Sequence, residues 1–192
     1  MKEPNIILLV LDAVRADRLS CYGYKIKTTP IIDELSKKGT IFLKTIATAP
    51  WTVPSVASIF TGLYPSEHGA TQEHPYLADE IPTLAEILAE KGYYTIGFST
   101  NPWFHRQSNL SKGFQEFHLF PEGKSRKREL IRKIRRFIKI GIKQNKSLPP
   151  GSSYGVVSEI INRLKGIPAN QPFFLYAHFM DTHLPYQPDK KF

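Results

Sequence analysis

The chain has one cysteine, Cys21, and two methionines in 192 residues. A single thiol excludes an internal disulfide framework and any cysteine-built metal site, and it suits a reducing compartment. Long apolar runs are missing as well. The run that follows the N-terminus, Ile6 to Leu11, has six residues and ends at Asp12, against the roughly 20 needed to cross a bilayer. It also lacks the length and the cleavage site of a secretory signal. No internal repeat is present. What remains is ordinary for a soluble domain, with 41% apolar and 22% charged residues in a chain long enough to bury one sizeable core. The expectation is a cytoplasmic protein, with at most a peripheral contact to a membrane.

Excess charge is also absent from most of the chain, although the net charge is +9. Residues 124–146 hold six Lys and five Arg against the single Glu129, so this segment carries +10 and the remainder sums to −1. A neutral body bears one basic insert. Within it Leu130, Ile131, Ile134, Phe137, Ile138 and Ile142 recur at helical spacing, the pattern of a cationic amphipathic helix. Such a helix can pack on the body by its apolar stripe or lie on an anionic membrane surface. Nucleic acid is disfavoured as a partner, because Phe137 is the one aromatic of the insert and no binding motif accompanies it. Residues 147–153, rich in Pro, Gly and Ser, read as a linker.

Elsewhere strand-like and helix-like patterns alternate. Ile6 to Leu11 suits a strand buried on both faces. Thr29-Pro30 opens a helix that runs to Lys38 before Gly39, and Thr40 to Ile46 reads as a second strand. Leu63 to Tyr76 reads as loop. Thr83, with Glu86 three residues on, makes a capping box for a helix that Gly92 ends. Tyr93 to Ser99 is a strand pattern, Phe114 to Phe120 a short edge strand, Tyr154 to Lys165 a helix and Phe173 to Phe179 a further buried strand. The alternation predicts an α/β domain over residues 1–192, three-layered αβα with a mostly parallel sheet.

The most informative stretch is Ala49-Pro50-Trp51-Thr52-Val53-Pro54-Ser55, which leads into a short apolar helix ending at Gly62. The spacing predicts Thr52 as the N-cap, with Pro54 in the first turn and Gly62 just past the last. Free amides at such a helix start favour an anionic group. A hydroxyl held there can attack a phosphate or sulfate ester if a metal ion lowers its pKa. Asp12 follows the first strand, at the sheet edge where open α/β folds hold ligands, and a carboxylate is a hard donor for a divalent cation. His183 follows the last strand and could contact the transferred group or protonate a leaving group. Each residue also has a plain structural reading: a helix cap for Thr52, a turn cap for Asp12, a solvated side chain for His183.

Several blocks together resemble the sulfatase family of the alkaline phosphatase superfamily. They are Pro4-Asn5-Ile6 through Asp12 with Arg15-Ala16-Asp17 and Cys21-Tyr22-Gly23, then Thr28-Thr29-Pro30 with Asp33 and Leu35. The Thr52 block through Thr61-Gly62-Leu63-Tyr64-Pro65 and the block His178-Phe179-Met180-Asp181-Thr182-His183-Leu184-Pro185-Tyr186 complete the set. The resemblance implies Asp12 and Thr52 as ligands of a divalent metal ion (Ca, Mn, Mg or Zn), Thr52 as nucleophile and His183 as a contact to the transferred group. The implied substrate is an anionic ester, lipid- or glycan-linked.

The departures are equally specific. Sulfatases of the formylglycine type carry Cys or Ser at the nucleophile, followed by Pro-Ser-Arg, whereas this chain has Thr52 and, in place of the Arg, Val56. The paired acids of the first block are reduced to Asp12-Ala13, and the Lys and His expected after Gly-Tyr-x-Thr are Thr100 and Pro102. The resemblance therefore favours phosphate over sulfate esters, through a covalent threonine intermediate, in a hydrolase or transferase. No distal Asp-His or Asp-Asn pair is found, so the chain is expected to be the amino-terminal portion of a longer enzyme. The rival reading is a catalytically inactive sulfatase-like fragment that binds a membrane or a partner.

Overall fold

The computed structural model describes residues 3–120 and 153–184. The basic segment 124–146 and linker residues 147–152 lie outside the described residues, so neither prediction about them is tested. Four parallel strands form one sheet in the order β1-β4-β2-β3. They are β1 (Ile6–Leu11), β2 (Tyr94–Ser99), β3 (Glu116–Leu119) and β4 (Phe173–Phe179). The helices are α1 (Pro30–Ser36), α2 (Thr52–Thr61), α3 (Pro65–His68), α4 (Leu84–Glu90) and α5 (Ser153–Gly166). Among the described residues no helix is long and apolar enough to cross a membrane.

The alternation of β4 divides the core into two layers. Phe174 and Tyr176 face α2 and α4, where they meet Val53, Val56, Ala57, Phe60, Ala85 and Leu88. Leu175 and Ala177 join Ile96 and Phe98 of β2 against Val156 and Ile160 of α5. Helices therefore cover both faces, as the αβα expectation required. The same period of two carries His178 onto the α2 face at the carboxyl end of the strand. The edge strand β1 is less protected: Ile6, Leu8 and Val10 pack on the core, but Ile7, Leu9 and Leu11 are exposed.

Three local predictions need correction. Residues 40–46 form no strand, and Phe42, Leu43 and Ile46 are exposed. A strand needs a ladder partner, and among the described residues none pairs with this segment. Thr52 is not the N-cap but the first helical residue; the cap is Trp51, in extended conformation and without a side-chain cap bond. The stretch Leu63 to Tyr76 is not all loop, since it contains α3. The capping box at Thr83 and Glu86 forms as expected, and Gly62 ends α2 at φ 72°.

Two features lock the connections. Gly113 sits at φ +83° with its α-carbon turned onto the α4 cap, so that an added Cβ would stand 2.9 Å from Thr83 Oγ1 and closer still to the Glu86 amide nitrogen. His68, 2% exposed, accepts the Ala70 amide on Nδ1 at 3.1 Å. Its proton is thereby left on Nε2, which donates to Ser58 Oγ at 3.0 Å and ties the turn after α3 to α2. Burial pushes its pKa down, against the weaker upward pull of backbone hydrogen bonds and Glu67.

Gly113→Ala is expected to lose on the order of 2–4 kcal/mol in urea unfolding, because both the left-handed backbone and the backbone clash oppose a side chain. For His68 the folded pKa lies below the unfolded value of 6.5, so the unfolded chain binds the extra proton first. Its contribution to stability is complete above pH 6.5 and is lost as pH falls from there through the folded pKa. Thermal midpoints recorded from pH 8 to pH 5 should drop over that range, and the drop should shrink in His68→Asn.

Candidate active site

The carboxyl ends of three adjacent strands deliver the site. Asp12 follows β1 and Asn101 lies two residues past β2, on either side of the end of β4. The Asp12 amide donates to Phe179 O at 2.9 Å and the Thr100 amide to His178 O at 3.0 Å, which extends the ladder by one step on each side. Ala13 then turns away with φ 58°, a left-handed conformation that is costly for alanine and reverses the chain directly behind the carboxylate. Thr182 Oγ1 donates to Asp12 O at 2.6 Å, which pins the loop that follows β4 to the same point.

Around Asp12 Oδ2 three donors converge. His178 Nε2 lies at 3.0 Å, Asn101 Nδ2 at 3.0 Å and Thr52 Oγ1 at 3.5 Å. Asn101 Nδ2 is also 3.0 Å from Thr52 Oγ1 and 3.1 Å from Met180 Sδ. Burial pushes the Asp12 carboxyl upward, but the hydrogen bonds from His178 and the Asn101 amide outweigh it and hold it below its ordinary value. Asp12 is an anion at neutral pH and accepts all of these bonds.

The protons behind it can be placed. Tyr176 is fully buried, and burial together with the Asp12 charge pushes its hydroxyl well above the usual tyrosine range. It keeps its proton and donates to His178 Nδ1 at 2.8 Å. His178 then carries its own proton on Nε2 and gives it to Asp12. A buried chain of Tyr176, His178 and Asp12 thus ends beside the Thr52 hydroxyl.

Of the three residues singled out in the sequence, Asp12 and Thr52 meet. His183 stays outside the hydrogen-bonded group: its amide bonds Met180 O at 2.8 Å and its Nδ1 donates to Leu184 O at 2.7 Å. Sequence reasoning missed Asn101, His178 and Tyr176. Asn101 follows a strand as Asp12 does, so the same criterion would have found it. His178 and Tyr176 lie inside a strand pattern that reads only as core.

Because Thr52 is the first helical residue and not the cap, its hydroxyl is free of its own helix and turns to Asp12 and Asn101. The amides of Thr52 and Val53 head α2, with Pro54 next and no amide to offer. An anion at this end meets the helix dipole. Trp51 and Trp103 form an edge-to-face pair at 5.2 Å, and the Trp103 amide donates to Asn101 Oδ1 at 2.9 Å.

The donors also test the divalent cation implied by the sequence. Asp12 Oδ1 takes none of the bonds above, and with Thr52 Oγ1 it offers two hard oxygens. His178 Nε2 and Asn101 Oδ1 are already engaged, and among the described residues no three His, Cys, Asp or Glu converge to hold a metal. These residues fit part of a ligand set and do not complete one, since Ca²⁺ and Mg²⁺ take about six to eight ligands and Zn²⁺ about four. A titration with Mn²⁺, followed by loss of the free-ion EPR signal, is expected to give a dissociation constant of about a millimolar or weaker. Asp12→Asn should abolish that binding; a tighter site that survives the substitution would put the cation elsewhere.

Known proteins give the geometry a setting. The family model described as Sulfatase matches residues 4–192. An arylsulfatase of Clostridium perfringens is 28% identical over 98% of this chain and 45% of its own length. An N-acetylgalactosamine-6-O-sulfatase of Bacteroides thetaiotaomicron is 35% identical over 49% of this chain and 19% of its own. Among solved structures, the phosphonate monoester hydrolase of Agrobacterium radiobacter has the same fold, with a TM-score of 0.74 and 23% identity over 98% of this chain and 43% of that one. The chain spans less than half the length of each of these relatives.

Proposed function

The chain belongs to the sulfatase family, and we propose that it serves a metal-dependent transfer of a phosphoryl group from an anionic ester to Thr52, in a hydrolase or transferase. The observation that carries this reading is the Thr52 hydroxyl. It stands at the start of α2, unused as a cap, 3.5 Å from an ionised carboxylate and 3.0 Å from an amide donor. A residue serving only the helix would spend its oxygen on the helix amides. The non-catalytic reading offers no reason for this arrangement.

In the proposed reaction the Thr52 oxygen attacks phosphorus. The Oγ–P bond forms as the bond from phosphorus to the ester oxygen breaks; that electron pair leaves on the oxygen, which takes a proton from water to give the alcohol. The Thr52 proton passes to Asp12 Oδ2 and from there to water. In a hydrolase, water then forms the new P–O bond, the P–Oγ pair returns to Thr52, and the oxygen is reprotonated. A divalent cation held in part by Asp12 Oδ1 and Thr52 Oγ1 would lower the pKa of the hydroxyl. The amides that head α2 receive charge on the non-bridging oxygens, and His183, on the loop beside Asp12, contacts the same group. Phosphate is favoured over sulfate because Thr52 cannot yield formylglycine and Val56 replaces the expected Arg.

The test is the intact mass of the protein after incubation with millimolar Mn²⁺ or Zn²⁺ and an aryl phosphodiester. A phosphoryl adduct that maps to Thr52 and is lost in Thr52→Ala is the expected result. Turnover of aryl sulfate with no phosphoryl adduct would move the chemistry to sulfate esters.

A further inference from the structure

We infer that Asn101 is a catalytic residue of this reaction, its side-chain amide stabilising negative charge on the Thr52 oxygen. The inference rests on the reading of Thr52 as nucleophile, but the geometry behind it is independent of any substrate. The orientation of the amide is fixed, because Asn101 Oδ1 receives the Trp103 backbone N–H at 2.9 Å. Only an oxygen can accept there, so the NH₂ group must face Asp12 and Thr52. Its backbone is held as well: the Asn101 amide donates to Ser99 Oγ at 3.0 Å, and its carbonyl accepts from the Phe104 amide at 3.2 Å. The residue is 1% exposed, so water does not compete for the donor.

The two hydrogens of Nδ2 divide the work. Asp12 Oδ2 and Thr52 Oγ1, each at 3.0 Å, are the two oxygen acceptors, with Met180 Sδ at 3.1 Å as a weaker third. Thr52 has one proton, and it faces Asp12 Oδ2; the lone pair of Oγ1 takes the Asn101 N–H. As that proton leaves, charge grows on Oγ1 and the neutral hydrogen bond becomes a charge-assisted one, shorter and stronger. The same donor is in place when the P–Oγ bond breaks and the electron pair returns to Oγ1. A donor aimed at the oxygen before the charge develops needs no reorganisation at the moment of reaction. Asn101 therefore acts on both bond-making and bond-breaking at Thr52, while its contact to Asp12 holds the carboxylate and the hydroxyl at a common distance.

Two measurements on the same chain test this. In the ¹⁵N-labelled protein, Thr52→Val should move the Asn101 side-chain NH₂ resonances. With the aryl phosphodiester and Mn²⁺, Asn101→Ala and Asn101→Asp should each slow adduct formation about 100-fold, with the half-saturating substrate concentration nearly unchanged. Asn101→Asp is the discriminating variant, because it keeps an oxygen for the Trp103 amide but has no N–H to give. A role confined to holding the turn would be rescued by it, and a wild-type rate in Asn101→Asp would overturn the inference. Resonances that stay in place on Thr52→Val would remove the hydrogen bond, whatever the adduct shows. Moving resonances with no adduct in the wild type would remove the Thr52 reaction itself, and the catalytic role with it.

Discussion

The hydrogen bond between His178 Nε2 and Asp12 Oδ2 joins the end of β4 to the end of β1, and the candidate site depends on it. It fixes which carboxylate oxygen faces inward, and so which faces out. Tyr176 sets the tautomer of His178 from one side, and Asn101 and Thr52 complete the environment of Oδ2 from the other. Because the histidine and the asparagine are almost fully buried, each bond is made in a medium of low dielectric, where losing a partner is costly. The network is satisfied throughout: no buried side-chain polar atom among the described residues lacks a hydrogen-bond partner.

The packing explains why this bond can be so well placed. β4 has neighbours on both sides, and its side chains alternate between the α2–α4 layer and the α5 layer. Phe60 of α2 stands edge-to-face against Tyr176 at 4.8 Å, and Phe104 stacks on Phe117 at 5.2 Å while bearing edge-on upon His178 at 5.5 Å. These rings fix α2 relative to β4, and with it the distance from Thr52 to Asp12. His68 adds a second tie to α2 from the turn after α3. The rigid layers hold the Thr52 hydroxyl, and the loops supply the groups around it.

Much of the fold was legible in the residues. The alternation behind β4, the capping box at Thr83 and Glu86 and the terminal glycine of α2 are local signals with local causes, and each formed as read. The run of β1 formed its strand, but Ile7, Leu9 and Leu11 are exposed at the sheet edge, so the strand is not buried on both faces as its composition suggested. Residues 40–46 failed for a non-local reason: their pattern suits a strand, but a strand forms only where another strand pairs with it, and among the described residues none pairs with this segment. Thr52 failed as a cap by one position, because Trp51 takes the extended conformation and the helix starts a residue earlier than the cap rule suggests.

The site divides in the same way. The sequence by itself determined that Asp12 closes a strand and Thr52 opens a helix, because strand and helix boundaries are written in neighbouring residues. It also determined that the head of α2 holds a threonine followed by Val-Pro-Ser-Val, which no folding can change. Only the tertiary structure decided that Asn101, 49 positions beyond Thr52 in the chain, aims its amide at that hydroxyl. It alone decided that His178 and Tyr176, two alternate positions of a core strand, serve as a proton-ordered support as well as packing. The reason is that such roles come from register and from the face of the sheet, both set when distant strands pair and neither visible in the residues nearby.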